Sequence, residues 1–134
     1  MKGYSVKLDL YTEDIKEQLE NGLQKNLKEA ALIWHGGVVR QLSGARRGRS
    51  YTLPVVKAKY QASAPGEAPA TRTGDLRKSY GFRIQPYLAE IGSPLDYALF
   101  LEKGTRNMAP RPHLAPAYRN SMTRIHQALG RRVL

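Results

Sequence analysis

The chain has 134 residues with 22 Lys plus Arg against 11 Asp plus Glu, a formal net charge of +11, and no cysteine. Length favours one domain, residues 1–134, because one hydrophobic core serves roughly 100–200 residues. The missing cysteines exclude a disulfide scaffold, a thiol nucleophile and any Cys-ligated zinc or iron–sulfur site.

The charge is unevenly placed. Residues 1–30 hold five basic and six acidic groups, whereas residues 31–60 hold six basic groups and no acid. Residues 61–90 are near balance, and residues 91–134 set seven basic groups against Asp96 and Glu102. No apolar run reaches the ~18–20 residues of a membrane span. The stretch after Met1 runs into Asp9, Glu13 and Asp14 rather than into the apolar core of a signal peptide. A soluble protein of a cytoplasm-like space is expected, with no membrane partner.

Taken in chain order, Tyr4, Val6, Leu8 and Leu10 alternate with polar neighbours and predict a half-buried strand over residues 3–11. Thr12 is an N-cap candidate, followed by Glu13 and Asp14 where acids complement the helix dipole. Ile15, Leu19, Leu23, Leu27, Ala31, Trp34, Val38 and Leu42 then recur every three or four residues, predicting an amphipathic helix of about 28 residues. Gly36-Gly37 inside it predicts a kink or a close helix contact.

Residues 43–50 offer no apolar side chain larger than Ala and read as a flexible loop. Residues 51–60 read as an irregular edge strand interrupted by Pro54. Residues 61–74, rich in Pro, Gly and Ala, read as a second flexible loop. Residues 73–78 suggest one helical turn begun at Asp75, and Tyr80/Phe82/Ile84 with Tyr87/Ala89/Ile91 predict a hairpin turning at Gln85-Pro86. Asp96 is the expected cap of a short helix over 97–103, closed by Gly104. Pro116 suits a first helical turn, and Leu114, Tyr118, Met122, Ile125 and Leu129 predict a second amphipathic helix to about residue 130. The expected class is α+β: a small antiparallel β-sheet packed against a long N-terminal helix and a C-terminal helix, with long Gly/Pro-rich loops.

Catalytic signals are thin. His35, His113 and His126 have no metal-ligand spacing, and each reads as a partly exposed helix residue. Asp75 and Asp96 read as helix-start residues rather than paired acids. No Walker loop, dinucleotide fingerprint or nucleophile elbow is present. No cofactor, no metal and no enzymatic activity are expected. Arg40, Arg46, Arg47 and Arg49 form a basic group suited to phosphate or to an acidic partner.

Three stretches carry a resemblance. Residues 60–79 (YQASAPGEAPATRTGDLRKS) resemble an S-A-P-G-E-x-P-A-x-x-T-G-x-L-x-x-S segment of a tailed-phage structural family. Residues 97–105 (YALFLEKGT) look like its Y-A-x-x-L-E-x-G-T box. Residues 108–117 (MAPRPHLAPA) are similar to its closing M-x-A-R-P-F-L-x-P-A, with His113 in place of the usual aromatic. The family is the gp-ten-like tail-component family of Hong Kong-97-type siphophages, and the resemblance spans roughly residues 40–120.

The resemblance implies a non-enzymatic virion protein, made in the host cytoplasm, that joins head to tail or completes the tail as a subunit of a ring. Its partners would be other neck and tail proteins (a connector, a tail terminator or the tail tube), with non-specific contact to packaged DNA through the arginines. The motif residues Pro65, Gly66, Glu67, Thr73, Gly74, Leu76, Tyr97, Glu102, Gly104, Thr105, Arg111 and Pro112 then become candidates for subunit contacts. Charge alone supports an alternative, a basic sequence-independent nucleic-acid-binding module. A small basic ribonuclease is a more distant option, and it would need His and Arg to converge on one pocket.

Overall fold

A computed structural model describes residues 3, 12–52, 54, 59–71 and 73–134. The strand expected over residues 3–11 lies, but for Gly3, outside them. Helix α1 runs Thr12–Gln41, so Thr12 is already helical, and the predicted length is nearly met. It is straddled along its second half by α4 (Leu114–Leu129) and on another side by a hairpin of β3 (Gly81–Gln85) and β4 (Leu88–Gly92). Between them lie β1 (Ser50–Thr52), β2 (Lys59–Gln61), α2 (Asp75–Ser79) and α3 (Asp96–Lys103). The class is α+β, with the sheet divided, among the described residues, into two antiparallel pairs, β1–β2 and β3–β4. The expected edge strand over 51–60 is therefore corrected: its ends are two short strands facing each other, with Tyr51 opposite Tyr60.

The α1–α4 seam is made close by small residues. A Cβ on Gly37 would lie 3.0 Å from Ser121 Oγ and 3.4 Å from Ala117 Cβ, whereas one on Gly36 would meet nothing within 4 Å. The glycine pair thus serves a helix contact at Gly37, and the helix continues through both. On α4 the buried face is Ala117, Ser121, Ile125 and Ala128. The predicted stripe is offset from it, since Met122 and Leu129 are exposed: short side chains let the two backbones approach, and the longer ones flank the seam.

Val38, Leu42, Tyr80 and Ala117 form the central cluster, with Trp34, Leu76, Ile91 and Leu114 packed against it. Ala30, Ile125 and Ala128 form a second, bridged to the first by Trp34. The Trp34 indole tilts against Tyr118 at 5.1 Å and donates its N–H to the Leu114 carbonyl at 3.1 Å. Near the middle of α1, the chain segment after α4 returns. Asn26 Nδ2 donates to the Arg131 carbonyl, Arg131 pairs with Glu29 at 2.6 Å, and Val133 closes over Gly22. The first two turns of α1 project beyond this cover, with residues 12–19 all exposed.

The β3–β4 hairpin keeps the predicted alternation, with Phe82, Ile84, Ala89 and Ile91 half-buried between exposed neighbours. Helix α3 begins at Asp96, but its carboxylate does not cap it; Ser93 Oγ accepts the Leu95 N–H instead. Gly104 closes α3 as expected. Its φ is +78°, and a Cβ there would lie 2.8 Å from the Met108 carbonyl oxygen and 2.9 Å from Pro110. Only glycine relieves both constraints.

Candidate functional site

After Gly104 the chain reverses on itself. Thr105 and Met108 exchange backbone hydrogen bonds, and the Arg111 N–H donates to the Leu101 carbonyl, so residues 104–111 run back along α3. The Gly66 N–H, at a φ of +83°, donates to the Pro110 carbonyl at 3.1 Å and ties the first motif stretch to the third.

Together these segments enclose a cleft of about 580 Å³. Its apolar surface comes from Leu42, Pro69, Leu76, Leu101 and Met108, its aromatic rim from Tyr60 and Tyr97, and its charge from Arg77, Arg111 and Asp75. Every lining residue except Leu42 belongs to one of the three motif stretches, 60–79, 97–105 and 108–117. Tyr60 and Arg111, 51 positions apart in the chain, thus reach one concavity.

Arg111, held between Pro110 and Pro112, lines the cleft with a half-buried side chain. Its Nη1 is recessed from solvent without a hydrogen-bond partner, and among the described residues no carboxylate pairs with it. An unsatisfied guanidinium nitrogen in such a position is costly, and the side chain's charge lies on the cleft wall. Asp75, the only acid among the described lining residues, accepts the Thr73 hydroxyl at 2.7 Å. Gly74, in the left-handed conformation at φ +83°, sits at the entry to α2 and is buried.

Glu102 faces the other way and has an internal role. Its carboxylate receives the N–H groups of His113 (2.8 Å), Leu114 (2.9 Å) and Ala115 (3.0 Å), capping α4 from the end of α3. Burial alone would raise its pKa. The N–H groups of Ala115, Leu114 and His113, with the His113 charge, together hold the carboxyl below its ordinary value.

His113 departs from the sequence expectation, being fully buried rather than partly exposed. Its ring stands edge-on to Tyr80 at 5.4 Å, filling an aromatic position. Nδ1 faces two acceptors, the Arg111 carbonyl at 3.0 Å and Glu102 Oε2 at 3.1 Å, so Nδ1 carries a proton. In the neutral ring, Nε2 then accepts the Tyr80 hydroxyl at 2.5 Å. Burial, with the charge of Glu102, pushes the Tyr80 phenol up to about 12. His35 is half-buried as expected, bonded through Nε2 to the Tyr80 carbonyl, and His126 is exposed.

No family model, curated protein or solved structure matches the chain.

The arginine group divides. Arg40, Arg47 and Arg49 are exposed, whereas the Arg46 guanidinium is held by the carbonyls of Pro69, Gln41 and Ala45. The two stretches expected to be flexible loops, 43–50 and 61–74, are joined here: Gly48 donates to Ala62, Ala62 to Arg49, and Thr71 Oγ1 to the Leu42 carbonyl. Glu67 completes the join by accepting the N–H groups of Ala64 and Arg47. Those bonds, with the charges of Arg46 and Arg47, hold its carboxyl below the usual range.

Pro65 and Thr105 remain exposed beside the cleft, and Pro112 is half-buried. Sequence reasoning did not single out Tyr60, Arg77, Leu101 or Met108, although all four lie inside the motif stretches. No group of three or more His, Cys, Asp or Glu poised for a metal occurs among the described residues. None of their helices is long and apolar enough to cross a membrane.

Proposed function

We propose that this chain is a non-enzymatic structural component of a tailed bacteriophage or prophage virion, joining head to tail or completing the tail as a subunit of a ring. One observation supports the reading: the three stretches that resemble the tail-component family fold together as the lining of a single cleft. Residues scattered over 60–117 would share a motif pattern if they served one surface, and assembly proteins work through surfaces. The internal bonds of Gly104 and Gly66 fit the same reading, because they fix the walls of that cleft rather than reach outward.

Its partners would be neighbouring neck and tail proteins and further copies of itself, in the virion and, during assembly, in the host cytoplasm. The exposed Arg40, Arg47 and Arg49 would face acidic neighbours or the DNA in the channel. Deleting the gene from the phage or prophage that encodes it should yield separate filled heads and tails by negative-stain microscopy. Fully joined, infectious particles would refute the assignment.

A second reading, a basic sequence-independent nucleic-acid-binding module, draws on Arg40 and Arg124, which share a groove of about 240 Å³ between the end of α1 and α4. Its measure is DNA affinity that falls steeply with salt.

A further inference from the structure

The thirty residues of α1 rise 1.5 Å each and make a rod of about 45 Å. Its two ends are chemically opposite. At the start, Ile15 and Leu19 lie four residues apart on one exposed face, 40% and 36% accessible, flanked by Glu13, Asp14 and Glu17 with Lys16 the one opposing charge. The burial that begins near Gly22, where Val133 covers the helix, does not extend to them.

At the far end Leu42 enters the cleft, where no carboxylate among the described residues pairs with Arg111 and where Arg77, bonded to Ser43 Oγ at 3.1 Å, adds a second guanidinium. Helix α3 also exposes Tyr97, on the cleft rim, and Phe100 three residues on, at 45% and 52%.

We infer that the cleft is the docking site for the acidic first turns of α1 from a second copy of the chain. Resting on the assembly reading, this names the surfaces through which copies meet. A carboxylate from Glu13, Asp14 or Glu17 would pair with Arg111 and Arg77, which outnumber Asp75 on the cleft wall, while Ile15 and Leu19 would cover Leu76, Leu101 and Tyr97. Each half supplies what the other lacks: apolar surface on both sides, acid on one and excess cation on the other. Because Ile15 and Leu19 stand roughly 35–40 Å from Leu42 along one rod, a copy cannot fill its own cleft. The contact is head-to-tail, and it closes into a ring when the rotation per copy permits.

Sedimentation analysis of the full chain tests this. The wild-type protein should self-associate in a concentration-dependent manner and dissociate as salt rises. Glu17→Arg, at an exposed side chain, and Arg77→Glu, at a half-buried one on the cleft wall, should each weaken association by roughly tenfold or more. Mixing the two variants should restore a complex, since the intact acidic end of one meets the intact cleft of the other. Circular dichroism confirms that each variant is folded.

Three outcomes overturn the inference: a wild-type chain that stays monomeric at high concentration and low salt, single variants that associate as wild type does, or a mixture that remains monomeric. Joined particles from the deletion phage would refute the virion role while leaving this self-association standing. A monomeric chain whose deletion still separates heads from tails would do the reverse.

Discussion

The Glu102 carboxylate, at the end of α3, accepts the Leu114 N–H at the first residue of α4. With the His113 and Ala115 N–H groups on the same carboxylate, one side chain meets most of the donors that a helix start leaves open. Glu102→Ala should destabilise the fold by about 2–3 kcal/mol in urea unfolding, because half-buried N–H groups lose a charged acceptor. Since the carboxyl pKa is depressed in the folded state, its contribution is present above the unfolded value and disappears as pH falls through the folded one. Wild type should therefore lose stability below about pH 4, and Glu102→Gln should be less stable at neutral pH with a flatter acid limb.

Tyr80 provides the alkaline counterpart. With the folded pKa at about 12 against ~10 unfolded, its contribution is complete below pH 10 and is lost as pH rises through 12. Absorbance near 295 nm should show a phenol that ionises only at about pH 12. Tyr80→Phe should remove that late step and cost about 1 kcal/mol at neutral pH through the lost bond to His113.

Gly36 and Gly37 are adjacent in α1 but should respond in opposite directions. Gly36→Ala adds a methyl into open space within a helix and should stabilise by up to about 1 kcal/mol. Gly37→Ala sets a methyl against Ser121 and Ala117, so α4 must shift, and a loss of about 1–3 kcal/mol is expected. Thermal unfolding of the two variants side by side measures the difference.

The arginines separate structure from charge. Arg46→Ala should lower stability, because its guanidinium clasps the Pro69 and Gln41 carbonyls. Arg47→Ala with Arg49→Ala should leave stability nearly unchanged, as both side chains are exposed. If the chain contacts DNA through them, the double variant should reduce the log–log salt slope by about 2. No DNA binding at low salt would remove the nucleic-acid reading.

What was legible in the sequence was what local chemistry fixes. The period of α1, the alternation through Phe82 and Ile91, and the glycine after Lys103 each left a pattern within a few residues. What was not legible depends on distant partners. His113 looked like one more helix-start residue, and only the meeting of Tyr80 and Glu102 makes it a buried, bonded ring. Arg46 looked as free as Arg47, because the carbonyl that holds it belongs to Pro69, 23 residues on. On α4, side-chain bulk points to Tyr118, Met122 and Leu129, whereas close packing against α1 selects Ala117, Ser121 and Ala128, one position earlier. The motif stretches located the cleft-forming segments, but their convergence became visible only in three dimensions.

The Trp34 indole and the Leu114 carbonyl it bonds are 80 residues apart in the chain. At the ~5–20 residues per second of bacterial or eukaryotic synthesis, α1 leaves the ribosome roughly 4–16 s before α4 can cover it. During that interval Ala30, Trp34 and Val38 present their apolar stripe to the surrounding medium. Yield in the cell should therefore respond to elongation rate and to chaperones that shelter nascent helices, a vulnerability of timing that equilibrium stability does not reveal.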